Sequence, residues 1–439
     1  LGGDLLFRDD ITLISQRIYT GDGEPFEGFV RISAGKIVAV EKSHLGARVP
    51  DGVPEAAESA SRSALSDAPP GCTSPDAPPG PVTILDVGDN MVIPGLIDLH
   101  AHGSGGNSAL GGAGALEGMA RVLALHGVTA FQPTLGAAPL DEMEAAITAA
   151  SEYVSFQCTG GSEALGLHLE GPFLSSLFTG AMAKEHVIVT DVSLISRWVE
   201  LAGGSISRMT LAPELPGALQ MIRYLLELGI SASMGHTAAT YEEAAQGFRA
   251  GINIVTHTFN AMRGFHHREP GALGAALVQK GVFRELIADG IHVHPAAMSM
   301  LVTSCGVDSV VLVSDAMPAT GLPPGQYEFL GRRVTLGTDG KVTLEDGTLA
   351  GSSVFLLDCL RNMVEIVGVP FAGALRMATV NPAKALGLFD RKGSLAPGKD
   401  ADVVVLSDDY EVLGCWAKGK EVKNVFRERG GRRDESRIL

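Results

Sequence analysis

From residue 94 to about residue 389, short apolar or β-branched runs alternate with helical stretches, and no other feature of the chain restricts its fold so tightly. The runs are GVTAFQPTL, ALGLHLEG, ISRMTLAPE, GISASMGH, GINIVTHTF, ELIADGIHV and SVVLVSDAM. Helical segments such as LPGALQMIRYLLELG and YEEAAQGFRAG fall between them. Repeated strand–helix units over such a length predict an α/β protein built on a (β/α)8 barrel of the TIM type. A doubly wound open sheet is the alternative, disfavoured because no GxGxxG opens a helix after the first strand.

The two ends read differently. Residues 11–40 and 81–93 alternate short β-like runs with Gly turns, and GSLAPGKDADVVVLSDDYEVLGCWAKGKEV near the C-terminus does the same. Both ends are therefore expected to build one small β-sandwich domain, from residues 1–93 and 390–439, around a barrel spanning 94–389. Residues 43–81 are dense in Ala, Ser, Pro and Asp with few apolar anchors. Such a segment cannot offset its own ordering entropy and reads as a flexible surface insertion.

A chain of 439 residues with 45% hydrophobic side chains can bury a barrel core and an accessory domain. The formal net charge of −16 argues against nucleic acid as a partner. It leaves room for an anionic small molecule, because local Arg and His can reverse the field inside a pocket. The five cysteines are scattered and form no CxxC, which reads as reduced thiols. With no secretory start and no apolar run near the roughly 20 residues of a membrane span, a cytoplasmic protein away from membranes is expected.

In barrels of this type, chemistry gathers where strands end and loops begin. His100 and His102 close the run PGLIDLHAHG, and side chains two apart on a strand share a face. Glu170 ends LGLHLEG, His236 ends ISASMGH, His257 ends INIVTH, Asp315 ends VVLVSD, and His292 follows LIADG. Singly, each reads as a turn or capping residue. Together, so many ionisable side chains on one rim point to a metal site. Imidazole and carboxylate suit zinc foremost, and iron or manganese as well, so one or two divalent ions per subunit are expected.

The order HxH … LHLEGPF … MGHT … THTFNAM … HHREPG … ADGIHVHP … SDA … LAGS … NPAKALGL … GSLAPGKDADVVVL resembles the N-acetylglucosamine-6-phosphate deacetylase family of the amidohydrolase superfamily. LEGPF and THTFNAM carry the resemblance most specifically; the last two motifs are general to amidohydrolases. The resemblance implies that Glu170, His236 and His257 hold the catalytic metal, with Asp315 as general base. It implies a second ion at His100 and His102, with Glu170 bridging. Asn260 and the backbone of Ala261 match phosphate contacts, and His292 matches a contact to the bound sugar phosphate. Arg268 matches an arginine that reaches the neighbouring subunit's phosphate, which implies a homodimer. His266 adds a donor or local positive potential, whereas Arg263 and His267 read as solvated loop. The implied activity is hydrolysis of the acetamide of a phosphorylated amino sugar, in amino-sugar catabolism.

One position departs from the family pattern. After LEGPF, members carry Gly-Ala-His, or sometimes Gln in place of the histidine, a side chain that positions or polarises the acetyl carbonyl. Here TGAM places Met182 there, and a thioether cannot donate a hydrogen bond. His186 lies four residues on. Other readings are a deacetylase for N-acetylgalactosamine 6-phosphate, a cyclic-amide hydrolase, or a barrel kept only for binding. A cyclic-amide hydrolase usually bridges its metals with a carboxylated lysine, where this chain offers Glu170. A binding-only barrel typically loses ligands that are all present here.

Overall fold

The structure is a computed structural model that describes residues 10–43, 82–156 and 160–426. The expected insertion at 43–81, apart from its first residue, and the residues after 426 lie outside the described residues, as do Cys72 and Cys158.

Eight parallel strands form the barrel, in chain order Leu96–Ala101, Val128–Gly136, Leu167–Glu170, Ile206–Leu211, Ser231–Met234, Ile254–Val255, Phe283–Ile287 and Val310–Val313. Each strand pairs with the next in sequence. The ring closes where Ala101 bridges Ala316 and the Asp315 amide donates to the His100 carbonyl at 2.9 Å. The strands are buried on both faces, so they read as continuous apolar runs without alternation. Helices cover the outside, with local reasons for their limits. Tyr241–Ala250 begins at a capping box in which Thr240 and Glu243 each satisfy the other's backbone amide, and Gly251 follows its end. Val192–Ala202 begins at the Asp191 cap and stops at Gly203, which takes the left-handed conformation. Among the described residues no helix is long and apolar enough to cross a membrane.

Strands from both ends of the chain pair in a second sheet. Val403–Leu406 lies antiparallel to Met91–Pro94, which runs parallel to the end of Asp10–Ile18. Leu13, Ile18, Val30, Ile37, Val92, Val403 and Trp416 share one core there. One element has no counterpart in the sequence reading. After the eighth barrel strand, Gly325–Phe329, Arg332–Leu336 and Val342–Thr343 form a small antiparallel sheet. Its hairpin turn, at Leu330, hangs over the strand ends where the polar residues gather.

Candidate metal centre

Six side chains from five strand ends meet at one mouth of the barrel. The Nε2 atoms of His100 and His102 are 3.2 Å apart, and those of His236 and His257 are 3.1 Å apart. Glu170 lies between the pairs. Its Oε2 is 3.1 Å from His102, and its Oε1 is 3.1 Å from His236 and 3.0 Å from His257. Asp315 Oδ1 lies 3.5 Å from His100 Nε2 and 3.4 Å from His102 Nε2. Two ligand groups result: His100, His102 and Asp315, and Glu170, His236 and His257. All six residues are buried.

The hydrogen bonds behind the rings test whether this set suits a cation. His102 Nδ1 donates to the Thr134 carbonyl at 3.1 Å, and His236 Nδ1 donates to the Phe178 carbonyl at 2.8 Å. A carbonyl only accepts, so each of these rings turns an Nε2 lone pair toward the centre. Lone pairs and carboxylate oxygens packed this closely repel one another unless positive charge lies among them. The donor set therefore fits divalent metal: imidazole nitrogens and carboxylates, held by partners on their far sides. Burial opposes the ionised forms of Glu170 and Asp315, yet positive charge placed among the imidazoles outweighs it and holds both below the usual carboxylate range.

Below the cluster runs a chain of buried polar side chains, of which the sequence shows only that His168 shares a strand face with Glu170. His100 Nδ1 faces Glu285 Oε2 at 3.1 Å, and Glu285 Oε1 is paired with Arg208. Arg208 also donates to His168 Nδ1 at 2.8 Å, and His168 Nε2 meets Thr210 Oγ1 at 2.8 Å. These residues sit on the first, third, fourth and seventh strands, and only inward-facing side chains can meet across a barrel. Burial alone would raise the Glu285 carboxyl, but Arg208 and the His100 contact outweigh it and hold the group down to about 2. Burial, then the Arg208 charge, pushes His168 well below the usual imidazole range. Arg208 in RMTL and Glu285 in REL, charged residues inside apolar strands, are the signal that could have found this layer.

Backbone strain marks the same rim. His236, His257, Asp315 and Ala261 have φ of 47°, 29°, 50° and 47°. Such values cost a residue with a Cβ roughly 1–3 kcal/mol and persist where the surroundings impose them.

A cavity of about 430 Å³ opens above the cluster, lined by His102, Glu170, His236, His257 and Asp315. Asn260, Ala261 and His292 also line it. His292 is held by Asp289, with Nδ1 2.7 Å from Oδ2. Met182, only 3% exposed, forms part of the wall and packs with Ala137, Leu174 and Leu330. His186 does not line this cavity; it lines a neighbouring one that shares Met182, Thr179 and Leu330. Arg268 and His266 are exposed on the loop beyond Ala261 and do not line this cavity. Arg268 Nη1 instead contacts His267 Nε2 at 2.8 Å.

The Amidohydrolase family profile matches residues 91–422. The chain is 40% identical over 334 residues to N-acetylglucosamine-6-phosphate deacetylase of Bacillus subtilis, covering 75% of this chain and 84% of that protein. It is 38% identical over 346 residues to N-acetylgalactosamine-6-phosphate deacetylase of Escherichia coli O157:H7, covering 78% and 90%. Among solved structures it is similar to a mutant N-acetyl-D-glucosamine-6-phosphate deacetylase of Mycobacterium smegmatis in complex with N-acetyl-D-glucosamine-6-phosphate. That match has a TM-score of 0.81 at 29% identity and covers 95% of this chain and all of that one.

Proposed function

The chain belongs to the amidohydrolase family, and from that membership we propose that it hydrolyses the acetamide of N-acetylglucosamine 6-phosphate to glucosamine 6-phosphate and acetate. The observation that carries this reading is the placement of Glu170 between two histidine pairs, with Asp315 beside it and Asn260, Ala261 and His292 across the same cavity.

Glu170, His236 and His257 would hold one divalent ion, and His100 and His102, with Asp315 close by, a second, zinc being the first candidate. When bound, such ions lower the pKa of water and polarise the amide carbonyl. Asp315 takes the proton from the attacking water as its oxygen bonds to the carbonyl carbon. It then returns that proton to the sugar nitrogen as the C–N bond breaks, so acetic acid and a neutral amine form, and the acid's remaining proton passes to the amine to give acetate and the ammonium form. Asn260, the Ala261 amide and His292 hold the phosphate. Arg268 completes that site from a second subunit of a homodimer, which accounts for its exposure within one subunit. Phe329 and Leu330, on the small sheet, restrict water above the cluster. A cytoplasmic setting accords with the free thiols of Cys305, Cys359 and Cys415.

The 38% relative that deacetylates the galactosamine sugar favours a second reading with the same chemistry. Amine release from the two N-acetylated sugar phosphates and from unphosphorylated N-acetylglucosamine, with zinc-, iron- and manganese-loaded protein, tests both. Release from the glucosamine phosphate alone supports the first reading, and a preference for the galactosamine phosphate supports the second. No release from any, with metal bound, removes the deacetylase assignment.

A further inference from the structure

The four imidazoles of the metal centre have unequal support. His102 and His236 donate through Nδ1 to neutral carbonyls, and His257 Nδ1 is buried with no partner. Of the four, His100 is the one whose Nδ1 faces a carboxylate, Glu285.

The proton directions along that chain follow from Arg208, which can only donate. Its Nη2 donates to His168 Nδ1, so His168 carries its proton on Nε2 and passes it toward Thr210. Its Nη1 donates to Glu285 Oε1, so Glu285 is an acceptor on that side. The other oxygen, Oε2, accepts from His100 Nδ1 at 3.1 Å and from the His257 backbone amide at 3.2 Å. His100 therefore has its proton on Nδ1, and its Nε2 presents a lone pair to His102, Glu170 and Asp315. Glu285, Arg208, His168 and His100 all have 0% exposure, so water cannot substitute for any link.

We infer that Glu285, clamped by Arg208, is the positioning residue that makes the His100–His102 pair a strong metal subsite, so that this chain retains a second ion. The inference rests on the two-ion reading above. A carboxylate behind an imidazole orients the ring and raises its basicity, and loss of such a partner typically costs 10–100-fold in metal affinity. Here the carboxylate serves one histidine ring of one subsite. The other subsite receives from it only a backbone contact, which a glutamine oxygen can also accept.

Metal-depleted full-length protein, titrated with zinc against a chromogenic chelator, tests this. Wild type should take up two ions. Glu285→Gln should bind one of them about 10–100-fold more weakly and the other with unchanged affinity. His102→Ala should weaken the same ion, and adding Glu285→Gln to it should leave the retained ion unchanged. Because Glu285→Gln leaves Arg208 buried without a counter-charge, Glu285→Gln/Arg208→Met carries the test if the single variant does not fold. Two ions of unchanged affinity in both variants would overturn the inference and leave the two-ion reading standing, as would equal weakening of both ions. A single ion in wild type would overturn the two-ion reading and the inference with it. Amine release, measured separately, decides the deacetylase reading.

Discussion

At the scale of single residues, the six side chains of the centre differ in what each can lose. Asp315 is the candidate proton carrier. Asp315→Asn keeps the shape and removes the base, so kcat should fall by about 10²–10⁴-fold while the ion at Glu170, His236 and His257 stays bound. Steady-state kinetics beside metal analysis checks this; unchanged turnover would remove Asp315 from the mechanism. Met182 poses the opposite case. It fills the cavity wall among Ala137, Leu174 and Leu330, and a histidine in its place would add a donor. Met182→His should retain activity or raise it, as kcat/KM would report. A collapse of turnover would mean that the loop bearing residue 182 is built differently from that of the family.

At the scale of elements, the loop Thr179–Met182 and the hairpin at Leu330 close the cavity together. Arg332 Nη1 donates to the Ala181 carbonyl at 3.2 Å and ties one to the other. Gly180 is where this loop passes the histidine cluster. Its φ is +57°, and a Cβ there would meet His236 Cε1 at 3.2 Å. Gly180→Ala should therefore cost about 1–2 kcal/mol in backbone strain alone and displace the His236 ring. Thermal unfolding and zinc titration would show both effects, and an unchanged affinity would mean that the loop gives way without disturbing the ligand.

At the scale of the whole molecule, the barrel and the terminal sheet are joined by a buried ion cluster. Lys392, fully buried, contacts Glu163 at 2.6 Å, Asp402 at 2.5 Å and Asp400 at 3.1 Å. Glu163 extends the barrel sheet, whereas Asp402 immediately precedes a strand of the terminal sheet. Lys392→Met would leave three buried carboxylates without their shared cation, and removing one partner of such a group typically costs about 3–5 kcal/mol. Denaturant unfolding measures it. The cluster also sets an acid response. Burial would raise the Asp400 carboxyl, but Lys36, Lys392 and Arg391 outweigh it and bring the group to about 2, below its ordinary 3.8. A depressed carboxylate stabilises the fold above its unfolded value and loses that contribution as pH falls through the folded one. Glu163 is lowered by Lys392 and Arg391 against its burial and acts in the same sense; Asp402 is raised by burial and opposes them. The melting temperature should thus fall between about pH 4 and pH 2, and less steeply in Lys392→Met, whose carboxylates protonate more readily. Equal slopes would show that other groups govern acid unfolding. Much of this architecture was legible in the chain itself. Strands buried on both faces must be apolar throughout, so the alternation of runs and helices exposed the barrel, and the polar residue ending each run exposed the rim. What the chain could not display is anything that depends on the barrel's closing. Arg208 and Glu285 lie 77 positions apart, and inside apolar strands each looks like an isolated burial penalty. Only the closed ring brings them behind His100, where the low-dielectric interior turns two unfavourable charges into one ordered support. The lid at Leu330 and the left-handed backbone at His236, His257 and Asp315 are likewise decided by packing, because local sequence preference opposes the strained conformation that the ring imposes.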